Sequence, residues 1–209
     1  LGDGPNVYAR YNTNLSRVNY KGIDLFNDIL LGLRDWQICA SLDGTGEIGE
    51  YISTGLNYNS WIENFRKGTR IQRHRRQMRI DFTLTLPGMF EIINIQRLAQ
   101  EEKVDILAKV IFSFSPDIIM SPLALPREIL HPWIDEIIPT VSGSLQDILV
   151  QLKNRPTFQE QWPDQYIEGL KKGKRRILKL ESIRSQTITF QEILSRKSAV
   201  LQWWNQIEC

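Results

Sequence analysis

"ICASLDGTGEIGEYISTGLNYNSWIENF", residues 38–65, decides how this chain is read. A short apolar run leads into Asp43 and then into glycines at 44, 46 and 49. Such a run reads as a strand buried on both faces, and the glycines have the G-x-G-x-x-G spacing of a dinucleotide-binding turn. There, backbone N–H groups and a helix N-terminus approach a pyrophosphate. Three carboxylates stand against that use. Asp43 precedes the first glycine, and Glu47 and Glu50 lie in and just after the turn. They would repel a phosphate. The helix that should open at the turn is also interrupted, by Gly55 and Asn57. The spacing alone is a weak signal, and the dinucleotide reading is set aside.

Moving outward, strand and helix patterns alternate. "NVYARYN" (6–12) alternates like a strand, and "GIDLFNDILLGLR" (22–34) has apolar residues at helical spacing. "WQICASL" (36–42) is a strand, and "NSWIENFRKG" (59–68) a helix. "MRIDFTLTL" (78–86) is a strand stopped by Pro87 and Gly88, followed by the amphipathic "MFEIINIQRLAQEEK" (89–103). "DILAKVIFSF" (105–114) is a further buried strand, halted by Pro116. "PREILHPWIDEII" (126–138) is helical in composition but broken by Pro132. Four strand–helix units predict an α/β fold with a parallel sheet and helical crossovers over residues 1–139. Residues 140–209 read as a helical C-terminal region. Four units are too few to close an eight-stranded barrel. They suit an open sheet or the later part of a larger, partly open barrel. The opening "LGDGPNVYARYN" lacks a Met and runs almost at once into a strand, as if cut from a longer protein.

Composition narrows the function classes. With 209 residues, 42% of them hydrophobic, 24% charged and a net charge of +2, the chain is an ordinary globular protein. Overall charge points to no nucleic acid or membrane. No apolar stretch approaches the ~20 residues of a membrane helix, and no secretory signal opens the chain. Two cysteines, Cys39 and Cys209, make neither a disulfide framework nor a metal cluster, which fits a reducing, cytoplasmic location. His74 and His131 are isolated from other metal-binding side chains.

The residues beside the glycines offer other chemistry. Ser41 and Asp43 alternate, so they point to one side at the C-terminal end of their strand. Asn14 stands just past the end of the preceding strand. Ligands of parallel α/β folds bind at that edge. Short polar groups there suit a hydroxylated, neutral or cationic ligand better than a phosphate. The plainer role for Asn14 and Asp43 is that of helix caps or turn formers. "RKGTRIQRHRRQMR" (66–79) holds seven Lys or Arg, one His and no acid. It reads as a phosphate or nucleic-acid patch, or as a solvated loop with few aromatics for stacking on single strands. "KKGKRR" (171–176) reads as the wet face of an amphipathic helix.

"NTNLS" (12–16), "SLDGTGEIGEYI" (41–52) and "TGLNYNSWIENF" (54–65) together resemble the radical S-adenosylmethionine (radical SAM) enzymes. The nearest group is the twitch-domain proteins of phage and bacterial genomes. "TLTLPGMFEIINIQRLA" (83–99) and "SPLALPREIL" (121–130) resemble later units of the same group. The resemblance implies a partial (β/α)6 barrel. It implies a 4Fe–4S cluster on a C-x3-C-x2-C loop, reductive cleavage of S-adenosylmethionine and a 5′-deoxyadenosyl radical that abstracts a substrate hydrogen. It also implies an electron donor such as flavodoxin or ferredoxin, and a substrate that in this superfamily can be a peptide or protein. By position, Asn14 would end the third barrel strand, and Ser41, Leu42 and Asp43 the fourth. Ser41 and Asp43 would lie near the ribose and sulfonium, with Thr83 and Thr85 in the pocket wall. Two departures stand out. The three-cysteine motif is absent, so its place would be upstream and the chain alone is expected to be inactive. Ser53 stands where the group usually has an arginine ("YISTG" for "YIRTG"), and serine supplies no charged bidentate clamp on the cofactor carboxylate. The competing expectation is a non-catalytic α/β module that binds nucleic acid through residues 66–79.

Overall fold

A computed structural model of the chain describes residues 7–111 and 118–208. Its centre is a parallel sheet of β1 (Tyr8–Thr13), β4 (Asp35–Ser41), β5 (Met78–Leu84) and β6 (Asp105–Val110), in that order. The fold is α/β. Asn6 of the first expected strand lies outside the described residues, as do positions 112–114 of the last, Pro116 and Cys209.

Each strand lies beside the one before it in the sheet, separated from it by a crossover. The register sorts the side chains into two faces, because partners across a parallel pair share a face. On one face Ile38 pairs with Tyr11 and Met78, Ile80 with Ala40 and Ile106, and Phe82 with Ala108. Ile38, Ile80, Phe82 and Leu84 are fully buried there. On the other face Cys39 pairs with Asn12 and Arg79, Ser41 with Asp81, and Thr83 with Lys109. One face is apolar, and the other carries most of the sheet's polar and charged groups.

Helices cover the apolar face. Between β4 and β5 run α1 (Gly46–Ile52) and α2 (Tyr58–Ile71). The Asn57 side chain caps α2 by accepting from the Ser60 N–H. Trp61, Phe65 and Gly68, at helical spacing, are its buried stripe. Gly68 allows close approach to the sheet: a Cβ there would stand 2.4 Å from Met78 Sδ. Between β5 and β6, α3 (Ile92–Glu101) buries Ile92, Ile95, Leu98 and Ala99.

Residues 22–34 do not form the single helix their spacing predicts. Lys21 and Gly22, with φ of 52° and 81°, turn a short antiparallel pair, β2 (Asn19–Tyr20) and β3 (Ile23–Asp24). Two central residues at positive φ are what a tight hairpin turn needs. The Asp24 carboxylate then caps a five-residue π-helical turn over Leu25–Ile29, and a 3-10 turn follows over Leu30–Gly32. Nor does Pro132 break its helix. α4 (Arg127–Ile137) runs through it, held by buried Leu130, Trp133, Ile134 and Ile137.

The C-terminal region is helical: α5 (Ser144–Lys153), α6 (Phe158–Gln161), α7 (Pro163–Ile183), α8 (Phe190–Leu194) and α9 (Ser198–Gln206). Capping boxes start α6, through Thr157 and Glu160, and α8, through Thr189 and Glu192. Trp204 is buried against Phe190, ring centroids 4.9 Å apart, which anchors α9 on α8. Gly173 sets α7 against Ile118 and Ile119, where a Cβ would come within 2.9 Å of Ile119 Cγ1. One hydrophobic cluster runs from Leu15 to Ile207 and joins both regions. Among the described residues, no helix is long and apolar enough to cross a membrane.

Candidate functional site at the C-terminal strand ends

The glycine turn follows β4 directly. α1 does open there, at Gly46, and stops at Ile52 before Gly55, whose φ is 86°. Gly44 and Gly49 are in backbone contact, since a Cβ on Gly49 would lie 2.1 Å from the Gly44 carbonyl oxygen. Gly46 takes a φ of 51°. The glycines therefore serve the packing of the turn on its own helix. The anion at this turn comes from the chain itself. Buried Glu91 accepts from the Thr45 N–H at 3.1 Å and from the Thr45 hydroxyl, and Arg196 stands 3.7 Å from its other oxygen. A pyrophosphate would have to displace that carboxylate.

Asp43 leaves the turn on the sheet's other side. Its Oδ1 accepts from the Thr83 N–H at 2.9 Å, which ties the end of β4 to β5. Burial pushes the Asp43 carboxyl above its usual range, against the pull of the Thr83 hydrogen bonds and the Lys109 charge. The nearby Asp81 charge pushes the same way as burial. Lys109 Nζ donates to both Asp81 oxygens, at 3.0 and 3.1 Å.

Asp43, Thr83 and Thr85 line a cavity of about 330 Å³. Ile111, Met120, Ile177 and Leu180 give it apolar walls. Arg176, Glu181 and Arg184 of the α7 end give it charge. Glu181 ties α7 over the site: its Oε1 accepts from the Tyr51 hydroxyl at 2.9 Å and from the Phe190 N–H at 2.6 Å. Burial and the Glu181 carboxylate push the Tyr51 phenol far above its usual range, so it remains a donor. Tyr51, Arg184 and Gln186 also border a second cavity of about 460 Å³, which Glu47, Glu50 and Thr54 line.

Of the five residues expected to bind a cofactor, Asp43 and Thr83 meet in the first cavity. Asn14 is exposed and closes a turn, its Oδ1 accepting from the Ser16 N–H at 3.1 Å. Ser41 lies on the polar face beside Asp81, and its carbonyl accepts from Trp61 Nε1 at 3.1 Å. Ser53 ends α1, its N–H donating to the Gly49 carbonyl. These three do not line the cavity. Period-two reading of β5 would have found Asp81, which shares a face with Thr83. No sequence signal placed Glu91, Tyr51 or the α7 residues there.

The basic segment lies at the opposite end of the sheet, where several of its charges are engaged. Arg66 pairs with Glu102 at 2.7 Å, Arg75 with Asp105 at 2.7 Å, and His74 with Asp35 at 3.2 Å. Arg73 donates to the Leu33 and Arg34 carbonyls.

The described residues do not fit an iron–sulfur cluster. Cys39 is the one cysteine among them and is buried within β4. Among them, too, no group of three or more His, Cys, Asp or Glu is placed to hold a metal ion. Comparison of the chain with protein-family models, curated proteins and solved structures finds no match.

Proposed function

We propose that this chain binds S-adenosylmethionine in the cavity at the ends of β4 and β5, as a portion of a radical SAM enzyme's partial barrel. The substrate is unassigned, and the cluster ligands are not among the described residues. The observation that carries the reading is the placement of Asp43. A part-buried carboxylate at a strand end, fixed by Thr83, shares a cavity of apolar walls with Arg176 and Arg184. A carboxylate there offsets a sulfonium charge or accepts from ribose hydroxyls. The apolar walls suit a purine ring, and Arg184, which lines the same cavity, offers the guanidinium fork for a carboxylate that Ser53 lacks. The consecutive parallel strands and the polar sheet face also suit the later part of such a barrel. Reduction by flavodoxin or ferredoxin belongs to the same proposal.

The test is calorimetric titration of the chain with S-adenosylmethionine and with S-adenosylhomocysteine, which lacks the positive sulfur. The sulfonium should bind more tightly, and Asp43→Asn should abolish that preference. Lack of binding, or a preference unchanged in the variant, refutes the reading. Nucleic-acid binding through residues 66–79 is the competing proposal. The ion pairs of Arg66 and Arg75 weigh against it. It requires binding that falls steeply with salt and ignores Asp43→Asn.

A further inference from the structure

We propose a second, independent site: a pocket for a phosphomonoester dianion at the N-terminal ends of β5 and β6. A cavity of about 620 Å³ opens there, at the opposite end of the strands from Asp43. Arg75, Arg79 and Lys103 bring three cations to it, against one carboxylate, Asp105. Arg75 already pairs with that carboxylate at 2.7 Å. The pocket therefore keeps positive charge in excess.

Arg79 is the central group. It lies on the polar face of β5, registered between Cys39 and Asp105. Its Nε is buried and has no hydrogen-bond partner. A buried donor on a charged group without an acceptor is costly, and native proteins rarely leave one so unless an ion or water completes it. A guanidinium fork matches the oxygens of a phosphate. Lys103 holds a φ of 55° in the turn after α3, an uncommon backbone for a lysine, and lines the same cavity. The first turn of α5 enters from the third side. Its N-cap, Gly143, gives no side-chain cap, so that turn's N–H groups have no side-chain acceptor from the N-cap.

A dianion meets this set better than a carboxylate does. A phosphomonoester carries about −1.5 to −2 at pH 7 and offers three acceptor oxygens. Gln96 Oε1 already accepts from the Ser142 N–H at 3.1 Å. The Gln96 amide NH2, Gln100 and the Ser142 hydroxyl also line the cavity and suit the hydroxyls of an organic portion, for which the volume has room. The pocket also accounts for part of the basic segment 66–79, because Arg75 and Arg79 belong to it.

The experiment titrates the full chain with inorganic phosphate, followed by calorimetry and by 31P line broadening. Saturable binding is expected, weakened at least tenfold by Arg79→Gln. Lys103→Asn is the second variant, since asparagine tolerates the left-handed backbone and removes only the charge. It should also weaken binding, and Asp43→Asn should leave it unchanged. Three results overturn the proposal: no saturable phosphate binding, binding retained in both variants, or a short single-stranded RNA that binds more tightly than phosphate and is indifferent to Arg79→Gln.

Discussion

Phe82 and Asp81 are neighbours on β5 and face opposite ways. Phe82 is fully buried under helices, in register with Ala108. Asp81 points to the polar face, where both its carboxylate oxygens accept from the half-exposed Lys109 ammonium. The same four strands thus build a core on one side and a row of polar groups on the other. A sheet covered on one side and solvated on the other would show a similar alternation, but Asp81, Gln37 and Thr85 are buried. Burial of polar groups is expensive unless they are paired. Here they are paired: Asp81 with Lys109, Gln37 with the Arg76 carbonyl and Thr85 with the Gly88 N–H.

The contrast can be broken by denaturant unfolding of variants from each face. Phe82→Ala should cost the most, about 3–5 kcal/mol, by loss of burial and the cavity left behind. Gly68→Ala comes next, at about 1–3 kcal/mol, because its Cβ must push Met78 and Phe26 aside. Asp81→Asn should cost less than about 1 kcal/mol, since its partner Lys109 is largely exposed and can return to water. Equal losses at positions 81 and 82 would end the distinction between the faces.

The last variant, Asp43→Asn, should change sign. Burial raises this carboxyl, so the folded chain holds the proton more tightly than the unfolded chain does. Its contribution is complete below the usual carboxyl value of 3.8 and is lost as pH rises through the raised value. Asp43→Asn should therefore stabilise the protein at pH 7 and make little difference below pH 3.8. Paired unfolding curves at the two pH values check this. A loss of stability at neutral pH would make Asp43 a structural turn former.

The sheet was legible because its apolar runs are short and bounded by turn residues. "WQICASL" and "MRIDFTLTL" become β4 and β5 within two residues of their expected limits. Residues 22–34 misled because the hairpin turn at Lys21 and Gly22 and the Asp24 cap override an apolar spacing that is helical only on paper. Pro132 misled for the opposite reason: one missing hydrogen bond is outweighed by four buried side chains on α4. At the site, Asp43 and Thr83 were readable from strand ends alone. Arg176, taken as part of a wet helix face, lines the cavity because α7 crosses the strand ends, and no local pattern reports such a crossing. Glu91 was equally hidden: only the folded turn reveals that it takes the place of an external anion at Thr45.

The hydrogen bond from Tyr51 to Glu181 joins residues 130 positions apart. The strands, by contrast, add one after another, each beside its predecessor. The last of them, β6, ends at Val110, 71 residues before Glu181. During synthesis at about 5–20 residues per second, the sheet can therefore assemble roughly 4–14 s before Glu181 is added. Through that interval the polar strand ends stand open to solvent, and the cavity beside Asp43 is closed only when the α7 end arrives.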